Sequence, residues 1–209
     1  MKILRKKVEG DVFDYSFLME CLLKYKSPRS KVTHLLRSGE IIRVKKGLYI
    51  FGLEQRRSLV SLEILANQIY GPSYVSLEYA LAFYGLIPEF VAEVTSVTTK
   101  RKKMYQTPIG RFSYTPIPVP LFSVGYTLLQ MNQYGSALIA TPEKALADLL
   151  YTRKLQIKTD SDLEDLLFDD LRLNEEGIKK MRIGVLHDIL NSGGSPILSL
   201  LIDLIRRNK

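Results

Sequence analysis

The sequence predicts an α+β protein in two parts, a small basic unit over residues 1–55 and a larger mixed domain over residues 56–209 that ends in helices. Three observations predict it. Of the 209 residues 46% are hydrophobic, enough for one or two buried cores and too many for disorder as the main state. The formal charge of +8 is unevenly placed: residues 1–57 hold fourteen Lys or Arg against six Asp or Glu, while residues 58–209 hold sixteen of each. Helical and alternating apolar patterns then succeed one another, punctuated by glycine, proline and serine.

The opening residues 1–10 are basic, show a weak helix pattern or none, and lead into no apolar run that would serve as a signal-peptide core. From Asp14, a suitable N-cap, Phe17, Leu18, Cys21, Leu22 and Tyr25 recur at helical spacing. Cys21 on that stripe reads as a buried small hydrophobe. Ser27-Pro28 then reads as an N-cap with proline at the first helical position. Val32, Leu35 and Leu36 form the inner face of a second helix ending near Ser38-Gly39, and its outer face carries Arg29, Ser30, Lys31, Thr33, His34 and Arg37. Two β-rich runs, residues 41–44 and 48–51, flank the basic turn Lys45-Lys46-Gly47, where glycine supplies positive φ.

Helix, short turn, basic helix and basic hairpin is the order of a winged helix-turn-helix. Such a helix fits the major groove of double-stranded DNA, where Arg29, Lys31 and Arg37 can bond guanine edges and Ser30, Thr33 and His34 make shorter contacts. Lys45 and Lys46 at the hairpin tip, with Arg43 on the strand before them, make the hairpin basic, and the tip would reach adjacent phosphates. The alternative is the same fold used for protein contacts; the concentration of charge favours DNA.

The boundary between the two parts is placed at residues 52–59. Beyond it Leu59, Leu62, Leu65, Ala66 and Ile69 predict a helix stopped by Gly71-Pro72. Ser76 is read as the cap of another, with Leu77, Ala80, Leu81 and Tyr84 inward and Gly85 and Pro88 closing it. The β-branched residues 94–99 predict a strand, and Phe112 and Tyr114, after a turn at residues 107–110, a second that makes a hairpin with it. Between its halves stand Lys100, Arg101, Lys102 and Lys103, a basic run that could meet nucleic acid, meet a partner or guard a sheet edge. Pro116, Pro118 and Pro120 predict an extended path. Leu138-Ile139-Ala140 reads as a short buried strand, and Thr141-Pro142-Glu143 starts a helix with Ala145, Leu146, Leu149 and Leu150 inward. Residues 160–170 form an acidic amphipathic segment, Asn174 caps the next, and residues 192–196 precede a final helix, giving two or three packed helices.

No catalytic set holds together. There is no P-loop, dinucleotide fingerprint or nucleophile elbow, and Asp169-Asp170 and Glu175-Glu176 read as solvated helix faces. His187 has no ligand or catalytic neighbour in sequence. One cysteine and two histidines leave too few ligands for a Cys/His zinc site. The expectation is a protein without metal, cofactor or enzymatic activity, in a reducing cytoplasm and without a membrane span; the apolar residues 197–205 are few and interrupted by Asp203.

Several motifs together resemble the AbiEi-type antitoxins of bacterial abortive-infection systems, also called type IV antitoxins. They are Lys45-Lys46-Gly47-Leu48-Tyr49, the run Gly71-Pro72-Ser73-Tyr74-Val75-Ser76-Leu77-Glu78-Tyr79-Ala80-Leu81 with Tyr84-Gly85-Leu86-Ile87-Pro88-Glu89, residues 94–103, and Ala140-Thr141-Pro142-Glu143-Lys144-Ala145-Leu146. They span residues 27–151; the tail after Lys158 carries no matching motif. The resemblance implies a winged helix, with residues 29–37 matching its recognition helix and residues 43–46 its wing, that represses its own operon at repeated operator sites. It also implies a C-terminal domain that counteracts a nucleotidyltransferase-like toxin without a stable complex. Two other readings stay open: a nuclease-like domain delivered to DNA by the winged helix, and a plain transcription factor whose second domain dimerises or senses a ligand.

Overall fold

A computed structural model of the chain describes residues 2–155 and 157–207. It begins with helix α1 (Lys2–Lys7), where the sequence promises little. Leu4 and Val8, one turn apart, are buried in a cluster with Leu18 and Leu22, so packing rather than propensity holds this short helix. Strand β1 (Val12–Asp14), also unforeseen, leads into α2 (Tyr15–Leu22), and Asp14 caps α2 by accepting from the Phe17 amide at 2.7 Å. Tyr25 falls beyond the helix and is exposed. Next comes α3 (Pro28–Arg37). Ser27 precedes it without capping it; its hydroxyl meets that of Ser30 at 2.8 Å. Strands β2 (Ile41–Lys45) and β3 (Leu48–Phe51) complete an antiparallel sheet of order β1-β3-β2, with Gly47 at φ +89° in the turn.

All four residues of β3 are buried, and alternation sends them to opposite sides. Tyr49 and Phe51, with Phe13 and Ile41, pack against α1, α2 and α3 in a small core. Leu48 and Ile50, with Val44, join the large core of the rest of the molecule, and Val12 and Ile42, which flank Ile50 in register, pack against it. The small sheet is thus a wall with a core on each side. Asp11 fastens the chain at its edge. Buried, it takes Arg5 Nη1 at 2.7 Å, the Ser58 amide and hydroxyl each at 3.0 Å, and the Arg57 amide.

A 3-10 turn, Leu53–Gln55, leads to α4 (Leu62–Ile69), capped by Ser61; Leu59 lies outside the helix, 91% exposed. The second sheet is built from β4 (Ser73–Val75), β5 (Glu93–Thr98), β6 (Lys103–Thr107), β7 (Gly110–Pro116), β8 (Tyr126–Asn132) and β9 (Gly135–Ala140), in the order β6-β7-β5-β4-β9-β8. This corrects the expected hairpin: β5 runs parallel to β7, and the antiparallel partner of β7 is β6, an edge strand with little buried surface. The proline-rich stretch after β7 is not wholly extended, since it contains the short helix α6 (Val119–Phe122). Helix α5 (Leu77–Phe83) follows β4, but Ser76 does not cap it; its hydroxyl turns inward.

Helix α7 (Pro142–Arg153), capped by Thr141, is buried along its first two turns on every side. Past residue 158 the described residues form α8 (Asp160–Glu164), a π-helical turn Asp165–Asp170, α9 (Glu175–Lys179), α10 (Ile183–Asn191) and α11 (Ile197–Arg207), more pieces than the two or three helices expected. Asn174 caps α9 through the amides of Glu176 and Gly177. Among the described residues no helix is long and apolar enough to cross a membrane.

Candidate nucleic-acid interface

Val32 and Leu35 seat α3 on the small core, which turns its other side outward. Arg29, Ser30, Thr33, His34 and Arg37 are all exposed and, at 3.6 residues per turn, fall within an arc of about 140°. Lys31 is set apart on the flank, half-buried, its ammonium 5.6 Å from the centre of the Tyr25 ring. Thr33 is partly engaged already, donating its hydroxyl to the Arg29 carbonyl at 3.2 Å. Arg29, Lys31, Arg37, Arg43 and Lys46 form no ion pair among the described residues, so their charge is uncompensated at close range.

The turn between β2 and β3 divides its two lysines. Lys46 is exposed, whereas Lys45 is the last residue of β2, half-buried, and donates its ammonium to the carbonyl of Ile69 at the end of α4. Burial, and secondarily the charge of Lys100, hold Lys45 below the ordinary lysine range. Lys100 donates to Gly71 O at 2.5 Å and lies over the Tyr70 ring. Two lysines from distant parts of the chain therefore cap the carboxyl end of α4, a favourable place for cations. The fold brings the hairpin turn beside the second basic run, which the sequence kept apart. Arg101, Lys102 and Lys103 continue outward as exposed residues, Lys103 at the start of edge strand β6.

A second charged cluster lies inside. Lys144 and Asp148, four apart on α7, are both fully buried, with the ammonium 2.7 Å from Oδ1 and 2.8 Å from the Leu121 carbonyl. Oδ2 accepts from Ser76 Oγ at 2.7 Å and Tyr74 Oη at 3.1 Å. Burial pushes the Asp148 carboxyl up and the Lys144 ammonium down, each partly offset by the other's charge. Tyr74, Ser76, Lys144 and Asp148 all lie at 0% exposure, so this set ties α7 to β4 in the interior. Sequence reasoning overlooked the pair; its one signal is two opposite charges at i,i+4 among the apolar residues Ala145, Leu146, Ala147, Leu149 and Leu150.

Glu143, beside them, is 3% exposed and holds the amide of Arg182 at 2.9 Å and its guanidinium at 3.0 Å. Burial opposes its charge, but the Arg182 hydrogen bonds prevail and keep the carboxyl below its ordinary value. The adjacent pairs Asp169-Asp170 and Glu175-Glu176 are exposed, and His187 meets Arg206 at 3.2 Å on the surface. Cys21 is buried, and burial pushes its thiol up. Among the described residues no three His, Cys, Asp or Glu are grouped to hold a metal ion. The chain matches no family model and no curated protein.

Proposed function

We propose that the chain is a DNA-binding repressor of its own operon and an antitoxin that counteracts a nucleotidyltransferase-like toxin without forming a stable complex with it. In this reading residues 1–55 are a winged helix-turn-helix, α3 enters the major groove and the β2–β3 turn lies along the backbone. The observation that carries the DNA-binding half is the outward face of α3. Arg29 and Arg37, two turns apart, bracket Thr33, with Ser30 and His34 alongside, on a helix followed at once by a hairpin bearing exposed Arg43 and Lys46. The element order helix, strand, two helices, two strands with the first strand in the sheet supports it. Lys46 and Arg43 are the phosphate contacts of choice; Lys45 holds the hairpin against α4. Arg101, Lys102 and Lys103 extend the positive surface toward flanking phosphates. The antitoxin half rests on the resemblance at residues 71–89 and 140–146.

A mobility-shift titration of the full chain on the DNA upstream of its own reading frame tests the first half. Affinity falls steeply with salt, and Arg29→Ala with Arg37→Ala abolishes the shift. Salt-independent binding, or binding untouched by those substitutions, overturns the DNA reading. The adjoining reading frame tests the second half: it encodes a nucleotidyltransferase-like protein whose expression arrests growth and whose effect the full chain relieves on co-expression, and absence of such a frame or of rescue refutes the antitoxin reading.

A further inference from the structure

A large cleft lies far from α3 in sequence and is lined by none of residues 1–57. It has a volume of about 690 Å³ and opens between α5, α7 and the loop before β5. Its floor is apolar, made by Leu81, Ile87, Val91, Leu149 and Leu171. At its lip Phe90 is 92% exposed, and Phe83, 44% exposed, lines a smaller cavity that shares Glu89, Phe90 and Val91 with the cleft. Phe83 and Phe90 carry the apolar lining of the trough out to the surface as one contiguous patch, the kind of surface that another molecule covers.

Charge says what kind of molecule. The carboxylates Glu78, Glu89, Glu93 and Asp170 line the cleft. Arg153 meets Glu78 at 3.1 Å, Arg111 stands 4.0 Å from Glu93, and Arg172 pairs with Glu89. These are exposed pairs of small net worth whose carboxylates can exchange partners. Asp170, with Asp169, Asp165 and Glu164 before it, forms no ion pair among the described residues. Asp170 and its exposed neighbour Asp169, at the end of the π-helical turn, therefore leave one end of the trough with uncompensated negative charge.

We infer that this cleft docks a protein segment presenting an apolar anchor flanked by lysine or arginine. The anchor packs on Phe90 and the floor, and its cations face Asp169, Asp170 and the rim glutamates. The inference is independent of the DNA reading, which concerns another part of the surface. Its test uses two fluorescent helical peptides with the same leucine stripe, one flanked by Lys and Arg and the other by Glu, titrated against the full chain. The basic peptide binds at least about tenfold more tightly than the acidic one. Phe90→Ser and, separately, D169K with D170K each remove most of that binding while the circular dichroism spectrum and melting temperature stay unchanged. Equal affinity for the two peptides, no binding of either, or binding indifferent to Phe90→Ser overturns the inference. Concentration-dependent dimerisation of the wild-type chain that Phe90→Ser abolishes also overturns it, by assigning the cleft to a second copy.

Discussion

Cationic side chains meet opposite fates in the two parts of the molecule. On α3 and the following hairpin, Arg29, Arg37, Arg43 and Lys46 stand in water. On α7, Lys144 is sealed at 0% exposure against Asp148 and the Leu121 carbonyl. An exposed cation keeps its hydration and counterions until a polyanion displaces them, so its charge is available for binding. A buried one gave up its hydration when the chain folded, and its charge serves only the interior. Lys45 is intermediate: it sits in a basic turn, yet its ammonium is spent on Ile69. Position in a basic motif and availability to a ligand are therefore separate properties.

The largest expected effect tests the buried side of this contrast. Lys144→Met leaves a carboxyl buried without its cation and lowers stability by about 3–5 kcal/mol; Lys144→Met with Asp148→Asn, which retains acceptors for Tyr74 and Ser76, recovers part of that loss. Urea unfolding of both variants checks it, and a single variant as stable as wild type breaks the contrast. Next are the exposed residues. Thr33→Ala or His34→Ala shifts preference among operator bases by about 1–3 kcal/mol where a base contact is lost, with unfolding unchanged, as competition mobility shifts will read.

The lysines of the hairpin sharpen the comparison further. Lys46→Met reduces the slope of log affinity against log salt by about 0.9 if one phosphate contact is lost, and leaves stability alone. Lys45→Met does the reverse, removing a hydrogen bond worth about 1 kcal/mol of stability with a smaller change in slope. The smallest effect is at Glu143. Because its carboxyl is held below the ordinary value of about 4.3, it contributes stability above that pH and loses it as pH falls through the folded value. Glu143→Gln costs under about 1 kcal/mol near neutrality, since Arg182 is largely exposed. Its melting curve converges with wild type in acid.

The helices with strong apolar stripes were legible in the sequence, and so were Asp14, Thr141 and Asn174 as caps. Edge strands β6 and β8 were not, because few of their residues are buried and neither carries a β-branched or continuous apolar run. The parallel pairing of β5 with β7 depends on β6 taking the outer position, and nothing local to β5 or β7 announces that. Of the candidate interface, the outward face of α3 followed from helical periodicity alone. The removal of Lys45 and the approach of Lys100 to the hairpin did not, since both depend on the end of α4, which lies 24 residues from Lys45 in sequence. Ser76 looked like a cap for the same reason: sequence places a hydroxyl before a helix but does not show the buried Asp148 that claims it.

Strand β3 carries a consequence for how the molecule comes apart. With Tyr49 and Phe51 in one core and Leu48 and Ile50 in the other, neither core can melt without stripping the wall from its neighbour. Unfolding is then a single cooperative event for the whole chain, and the amide protons of β3 exchange with solvent only through that event, later than those of edge strands β6 and β8. The chain joins its two parts at residues 52–59, but much of the cohesion between them comes from the small sheet upstream, from Leu48 and Ile50 of β3 together with Val12, Ile42 and Val44.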